Sequence, residues 1–250
     1  MAYRSAPSFC RSCGTPRSKP GEACEACGAP AEVVTATPED PSRTARRFFS
    51  ALALYFVLLG TLLLPFALAV QWDAAMLDRL LVVDTVLVIA WAVAHRKDVG
   101  PRLRNRGRLG SWVLATALVP VTVGLALGNV ELMRSFLYVE PIDPSSAYAM
   151  AGHPLWIALL ANALQPAVVE ELAFRGVIFG ALERVMEPRT VVVVTALMFT
   201  VLHLAMLGFV FLVAMGLLLG WLRLRSGSLY PAMWLHLCHN AVMLVLQWPS

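Results

Sequence analysis

The segment 154–182 reads PLWIALLANALQPAVVEELAFRGVIFGAL, and Glu170, Glu171 and Arg175 lie inside this otherwise apolar stretch. A run of this length and composition is long enough to cross a bilayer as a helix. A charged side chain near the bilayer centre costs about 2.5–3.5 kcal/mol on insertion scales. Ionisable groups therefore persist in such a segment when they face the protein interior, pair with one another or do chemistry.

The composition of the whole chain is that of a membrane protein. Of its 250 residues, 58% are hydrophobic and 14% are charged, whereas soluble globular proteins carry about 25% charged residues. We therefore predict an all-α, polytopic bundle of transmembrane helices. The sequence pI is about 9.0, but the basic residues are sorted into particular loops, which indicates membrane topology rather than a surface for nucleic acid.

Seven apolar spans are predicted after residue 47. They lie at about 48–70, 79–95, 111–128, 155–182, 190–206, 208–222 and 229–247. The fifth and sixth spans are short and almost contiguous, so they form either one tight hairpin or a partly re-entrant pair. Arginines and lysines cluster before the first span and after the second, fourth and sixth. The positive-inside rule then predicts a cytoplasmic N-terminus and a C-terminus outside.

The two glutamates of the fourth span differ in their helical neighbours. Glu171 and Arg175 are spaced i,i+4 with the acid on the N-terminal side, which is the favourable orientation for an ion pair. Glu170 points about 100° away on the helix and is left for another partner. The alternative is that both glutamates belong to a buried ionic network that only holds helices together.

A second motif, Phe199-x3-His203, lies on the next predicted span. Glu170 and His203 each lie about 13 residues from the loop 183–190, which places them at a similar depth, roughly 20 Å from the cytoplasmic end, in antiparallel neighbouring helices. A carboxylate and an imidazole at one depth can share a water molecule, whose proton the glutamate takes while the histidine orients it. The alternative is a hydrogen bond from this histidine to a backbone carbonyl.

The third motif is His236-x3-Asn240 in the last span. The i,i+4 spacing puts both side chains on one helix face. Each can donate a hydrogen bond, so the pair can stabilise an oxyanion as a peptide carbonyl becomes tetrahedral. The alternative is a hydrogen bond that joins two membrane helices without any chemistry.

These three motifs, in this order, resemble the signatures of the CPBP family of intramembrane peptidases. That family includes the CAAX prenyl endopeptidases and the bacterial bacteriocin-processing or self-immunity proteins, also called the ABI family. Its signatures are E-E-x3-R, F-x3-H and H-x3-N/D, and the resemblance covers about residues 154–247. It implies an intramembrane endopeptidase with a peptidase core at 154–247, which leaves 48–128 as three accessory spans.

The resemblance also implies a role for six residues of the motifs. One glutamate activates a water molecule that a histidine helps to position, a second histidine and an asparagine form the oxyanion site, and an acid–base pair supports them. In the same order, these residues are Glu170, His203, His236, Asn240, Glu171 and Arg175.

The resemblance leaves the catalytic type open, because the family has been described both as metal-dependent and as a glutamate-type protease. Glu170, His203 and His236 together with a water molecule would suit a catalytic zinc, although no H-E-x2-H motif is present. We favour direct activation of the water by the glutamate and the histidine.

Four cysteines near the N-terminus form two CxxCG knuckles separated by ten residues. They are Cys10, Cys13, Cys24 and Cys27. Four thiolates suit a closed, tetrahedral structural zinc, so we predict a zinc ribbon at 1–28 that is distinct from the catalytic centre and can dock a protein partner. The predicted cytoplasmic location disfavours disulfides, and a redox pair is the alternative. Residues 29–47, rich in Pro, Thr, Ala and Arg, predict a flexible linker.

The sequence as a whole predicts an integral membrane peptidase with the lipid bilayer around it. Its Ala-, Leu-, Val- and Arg-rich character indicates a bacterial plasma membrane, where prenylation of a CAAX substrate is not expected. A peptide, a leader sequence or another membrane protein is therefore the predicted substrate. Two other functions stay open: a bacteriocin self-immunity protein that binds without hydrolysis, and a transporter whose polar groups line a path.

Overall fold

The computed structural model describes residues 23, 40–70, 73–138 and 144–249. In these ranges the regular elements are helices and there is no strand, which confirms the predicted all-α class. The chain divides after Arg43 into two units, and all contacts described below lie in the second, Thr44–Ser250. The predicted zinc ribbon at 1–28 lies outside the described residues except for residue 23, and it stays a prediction.

The first half of the described chain contributes five helices. They are α1 (Pro41–Ala67), α2 (Ala74–Ala94), α3 (Arg96–Arg104), α4 (Leu109–Leu137) and α5 (Pro144–Met150). Because α1 begins at Pro41, the prediction of a flexible linker over 29–47 is wrong for its last part, 41–47. A proline suits the first position of a helix, since the N–H that it lacks would have no partner there.

The decisive segment forms one continuous helix, Leu155–Leu182, with the bounds that its composition predicts. This composite helix contains two π-helical turns, which are frequent at functional sites. In chain order its parts are α6 (Leu155–Leu159), the first π turn (Leu160–Leu164), α7 (Gln165–Glu171), the second π turn (Leu172–Ile178) and α8 (Phe179–Leu182). The two turns flank the pair of glutamates at the end of α7.

The last part of the chain forms three helices around a short turn. They are α9 (Pro188–Leu202), a 3-10 turn (Met206–Gly208), α10 (Phe209–Ser226) and α11 (Tyr230–Gln247). α9 and α10 form the tight hairpin that was one of the two alternatives for the fifth and sixth predicted spans. A Cβ atom added at Gly216 would lie 2.9 Å from the Ala196 Cα atom, so glycine lets the two backbones approach closely.

Charged residues join the segments at one end of the helix bundle, the basic end. The ion pairs there are Arg47–Asp98 (3.2 Å), Arg184–Asp98 (2.8 Å), Arg102–Glu183 (3.0 Å) and Arg223–Glu183 (3.7 Å). They connect α1, α3, the segment after α8 and α10. Contact among these segments is what the positive-inside argument requires, because it sorts all of them to one membrane face. Which face that is stays a prediction.

Four helical stretches of the described residues are long and apolar enough to cross a membrane. They are Pro41–Ala67, Leu109–Phe136, Leu155–Leu182 and Met206–Ser226. α9 is apolar but has 15 residues, a length of about 22 Å, which is shorter than the roughly 30 Å hydrocarbon core. The protein is therefore an integral membrane protein, while the count of seven spans stays a prediction.

Candidate active site

The ion pair predicted by spacing is present and fully buried. Arg175 Nη1 donates to Glu171 Oε1 at 3.0 Å, and Arg175 Nη2 donates to the Gly216 carbonyl at 3.1 Å. The guanidinium also lies 4.7 Å from the centre of the Phe199 ring. A buried charge is stable only when it is paired and hydrogen-bonded. These contacts therefore fix the composite helix against α9 and α10.

The same carboxylate holds a histidine from the last helix. His236 Nδ1 lies 3.0 Å from Glu171 Oε1. Because Arg175 stabilises the ionised form of Glu171, the carboxylate accepts and Nδ1 carries the proton. The other ring nitrogen, Nε2, then holds the lone pair of the neutral imidazole, and it lies 3.9 Å from Glu170 Oε2.

His203 is oriented in the same way by a backbone group. Its Nδ1 atom lies 2.8 Å from the Phe199 carbonyl oxygen, which can only accept, so Nδ1 donates. Its Nε2 atom faces the site and lies 3.9 Å from Glu170 Oε2. Of the two interpretations that the sequence left open, the backbone hydrogen bond is present on Nδ1, while the water shared with Glu170 stays a prediction for Nε2.

Three proton acceptors thus lie together: Glu170 Oε2 and the Nε2 atoms of His203 and His236. The Glu170 Oε2 atom is buried and has no hydrogen-bond partner in the part of the chain that the structure describes. A separation of 3.9 Å from each histidine is too long for a direct hydrogen bond and matches a contact bridged by water. The side chains of Glu170 and His203 are 29% and 31% exposed, so the site is open on this side.

Asn240 lies one turn after His236 on α11, as the spacing predicts. Its Nδ2 atom donates to the Asn162 carbonyl at 3.2 Å, and the second N–H of the amide is not used by that bond. The geometry differs from the simple donor pair that the sequence predicts. Since the proton on His236 Nδ1 is directed to Glu171, this histidine can donate to an oxyanion from Nε2 only when both ring nitrogens are protonated.

Phe199, the first residue of the second motif, packs against both histidines. The centre of its ring lies 4.4 Å from that of His203 and 6.1 Å from that of His236. It also contacts the guanidinium of Arg175. One buried aromatic ring therefore separates the ion pair from the open side of the site and restricts both imidazoles.

Sequence reasoning missed a carboxylate of α2 as a neighbour of the site. Asp84 accepts a hydrogen bond from Thr61 Oγ1 of α1 at 3.0 Å and interacts electrostatically with Glu170. An aspartate in an apolar span was the sequence signal for such a neighbour. Its position relative to Glu170 depends on how α2 packs against the composite helix, which the sequence does not give. It also missed the contact between Glu171 and His236, for which the sequence holds no spacing signal.

The three acceptors are of the kind that zinc takes, and a bridging water also suits acceptors at this separation. In the described ranges, no group of three or more His, Cys, Asp and Glu residues has the arrangement of a metal site. Ligands on a tetrahedral zinc lie about 3.4 Å apart, as follows from bonds of about 2.0–2.1 Å. The separations of 3.9 Å at Glu170 are wider.

Comparison with known proteins identifies one relationship. Residues 152–242 match the family model described as Type II CAAX prenyl endopeptidase Rce1-like. The matched range contains all three motifs, and α1 to α5 lie outside it. No curated protein and no solved structure matches the chain. The family match confirms the resemblance that the motifs indicate.

Proposed function

We propose that this protein is an intramembrane endopeptidase, because residues 152–242 match the model of the Rce1-like type II CAAX prenyl endopeptidases. The observation that carries the proposal is the approach of two imidazole Nε2 atoms to Glu170 Oε2, each at 3.9 Å. Glu170 Oε2 and His203 Nε2 can accept the two protons of one water molecule and aim its oxygen at a peptide carbonyl, while His236 Nε2 lies close enough to serve the oxyanion.

Glu170 is the proposed general base. It takes a proton from the water as the water oxygen forms a bond to the carbonyl carbon of the substrate. His203 orients this water through Nε2, because its other nitrogen is anchored on the Phe199 carbonyl. A fixed ring keeps the water in one position and reduces the entropy that is lost when the transition state forms.

The oxyanion is stabilised by donors from α11. The second N–H of Asn240 donates to it, and Nε2 of a doubly protonated His236 does the same. Glu171 supports that form of His236, since the carboxylate accepts from Nδ1 at 3.0 Å. The proton held by Glu170 then moves to the leaving nitrogen, the C–N bond breaks, and an amine and a carboxylic acid leave, the acid carrying the second proton of the water.

The proposed substrate is a peptide segment that reaches the site within or beside the membrane. Apolar helices surround the site, and its open side is the side of Glu170 and His203. A leader sequence, a free peptide or a segment of another membrane protein has the required chemistry, namely an extended peptide bond. Hydrolysis at this site does not itself require a prenyl group.

The test is the variant Glu170→Gln, with Glu131→Gln in α4 as the matched control. Membrane peptides are compared by mass spectrometry in cells that produce the wild type or either variant, and cleavage of the peptides that differ is measured with purified protein. Loss of a general base should lower the rate at least about 10²-fold, while the variant stays folded and inserted. The control should cleave like the wild type.

Three results would contradict the proposal. A Glu170→Gln variant that cleaves at the wild-type rate would exclude this residue as the base. If the wild type and Glu170→Gln protect cells against a bacteriocin equally well, and neither yields a cleaved product, the protein acts by binding. Flux of a solute without any cleaved product would indicate a transporter.

A further inference from the structure

The composite helix lacks one backbone hydrogen-bond donor where α7 begins. In an α-helix the carbonyl of residue i accepts the N–H of residue i+4, so the Asn162 carbonyl would pair with residue 166. That residue is Pro166, which has no N–H. The first π turn lies directly before this proline, and there the Gln165 N–H bonds the Leu160 carbonyl five residues earlier.

The Asn162 carbonyl instead receives a donor from another helix. Asn240 Nδ2 of α11 lies 3.2 Å from this oxygen. Inside a bilayer an unsatisfied carbonyl is strongly unfavourable, because no water can replace the missing donor. The proline therefore removes the α-helical donor for this carbonyl, and the proposed oxyanion residue supplies a donor to it.

We propose that Pro166, through the carbonyl of Asn162, positions the side chain of Asn240 for catalysis. The proposal rests on the proposed peptidase function. The two N–H groups of a side-chain amide lie in one plane at a fixed angle. When one is held by the Asn162 carbonyl, the direction of the other is fixed as well, and a donor that is oriented in advance needs no reorganisation when the oxyanion forms.

The anchor itself is held in place. The Asn162 side chain donates to the Ala158 carbonyl at 3.2 Å, so both ends of this residue are fixed. Pro166 is buried on α7, at the junction with the first π turn. The same α7 carries Glu170 four residues later. The position of the Asn240 side chain is therefore set by the same composite helix that carries the proposed base, Glu170.

The test is Pro166→Ala, which restores an N–H that competes with Asn240 for the Asn162 carbonyl. Alanine favours a helix interior far more than proline does, so the variant should fold. The midpoint temperature of its thermal unfolding in detergent should not be lower than that of the wild type. We expect kcat to drop at least about tenfold, with KM changed less than about twofold. Pro120→Ala in α4 is the matched control, and it should leave both constants unchanged.

A double-mutant comparison separates positioning from a structural role. Asn240→Ala should lower kcat about 10²-fold in the wild-type background and much less in the Pro166→Ala background, because the asparagine is already displaced there. A full effect of Asn240→Ala in both backgrounds would overturn the proposal. So would a Pro166→Ala variant with wild-type kcat while Glu170→Gln is inactive, a result that leaves the peptidase function intact.

A spectroscopic measurement reads the contact without any substrate. In protein labelled with ¹⁵N-asparagine, the side-chain amide of Asn240 is assigned from its absence in Asn240→Asp. Pro166→Ala should shift this resonance and speed its exchange with solvent, and Pro120→Ala should not. An unchanged resonance overturns the positioning proposal. Absence of hydrolysis in the wild type contradicts the proposed function instead.

Discussion

At the residue scale, one carboxylate oxygen connects the buried core to the chemistry. Glu171 Oε1 accepts from both Arg175 and His236, each at 3.0 Å. Its Oε2 atom is buried without a hydrogen-bond partner among the described residues. A buried ion pair with incomplete hydrogen bonding contributes little net stability, because desolvation offsets the attraction. The Glu171–Arg175 pair is therefore better explained by its role in orienting His236 than by a contribution to stability.

This account predicts a separation between folding and hydrolysis. Glu171→Ala should lower the free energy of unfolding by about 3–5 kcal/mol, because it leaves a charged Arg175 unpaired in the interior. The double variant Glu171→Ala with Arg175→Met should recover most of that loss. Hydrolysis should stay low in both, since His236 Nδ1 has lost its acceptor. Thermal unfolding in detergent and peptide cleavage measure the two quantities.

The control for this prediction is Glu131→Ala on α4. That side chain is exposed and bonds only Ser135 in the part of the chain that the structure describes, so its loss should change stability by no more than about 0.5 kcal/mol. If the double variant regains wild-type cleavage, Glu171 does not act through His236, and the contact between them is only structural.

Spacing along one helix predicts contacts within that helix and little beyond it. The pairing of Glu171 with Arg175 follows from i,i+4 spacing and is confirmed. The pairing of Glu171 with His236 joins residues 65 positions apart and depends on how α11 packs against α7. The sequence shows that Pro166 removes a donor for a carbonyl, but not that Asn240 supplies the replacement.

At the element scale, the α9–α10 hairpin determines where His203 lies. His203 follows the last residue of α9, so any displacement of that helix moves the imidazole relative to Glu170. α9 is held close to α10 at Gly216, whose carbonyl also accepts from Arg175. One glycine therefore supports both the hairpin and the buried ion pair.

Gly216→Ala should therefore destabilise the protein and slow cleavage. The added Cβ would lie 2.9 Å from the Cα and 3.2 Å from the carbonyl oxygen of Ala196. Backbone atoms cannot rotate away, so the helices must separate, at a cost of about 1–3 kcal/mol. Unfolding in detergent measures the first effect, and kcat measures the second.

Gly124→Ala on α4 is the matched control, because a Cβ there would meet nothing within 4 Å. It should leave cleavage unchanged and stabilise the helix by up to about 1 kcal/mol. Equal behaviour of the two variants would show that the close approach at Gly216 does not matter for the site.

Element boundaries were predicted well where an apolar run ends in charge and less well elsewhere. The bounds 155–182 agree with the helix Leu155–Leu182, because charged residues follow at 183 and 184. α9 ends at Leu202 rather than near 206, where Leu204 has a left-handed backbone with φ of 50°. No glycine or proline marks that break, so tertiary packing rather than local propensity sets it.

At the scale of the whole molecule, charge gives the membrane unit a direction. The basic end joins segments from four parts of the chain. α9 begins shortly after the segment at 183–184 that belongs to the basic end, and His203 follows its other end. The family match covers the site but not α1 or α2. Since Gln165 of α7 donates to the Leu81 carbonyl and to Thr85 Oγ1 of α2, a helix outside the matched range also holds the helix that carries Glu170.

The N-terminal cysteines lead to a prediction about metal content. We expect one zinc per full-length chain, bound by the four thiolates, and its loss when Cys10, Cys13, Cys24 and Cys27 are all replaced by serine. Peptide cleavage should persist in that variant, because a site closed by four cysteines has no open position for a substrate or water. Elemental analysis of the purified protein and a cleavage assay measure the two outcomes.

The same analysis distinguishes the two catalytic types. If water is activated by Glu170 and His203 alone, the cysteine variant should contain no zinc and still cleave, and the Glu170→Gln protein should keep its single zinc. A second zinc that disappears in His236→Ala, with cleavage lost to a chelator in the cysteine variant, would contradict this prediction. The separations of 3.9 Å would then have to contract around the ion, so metal content tests whether the site is preformed for water.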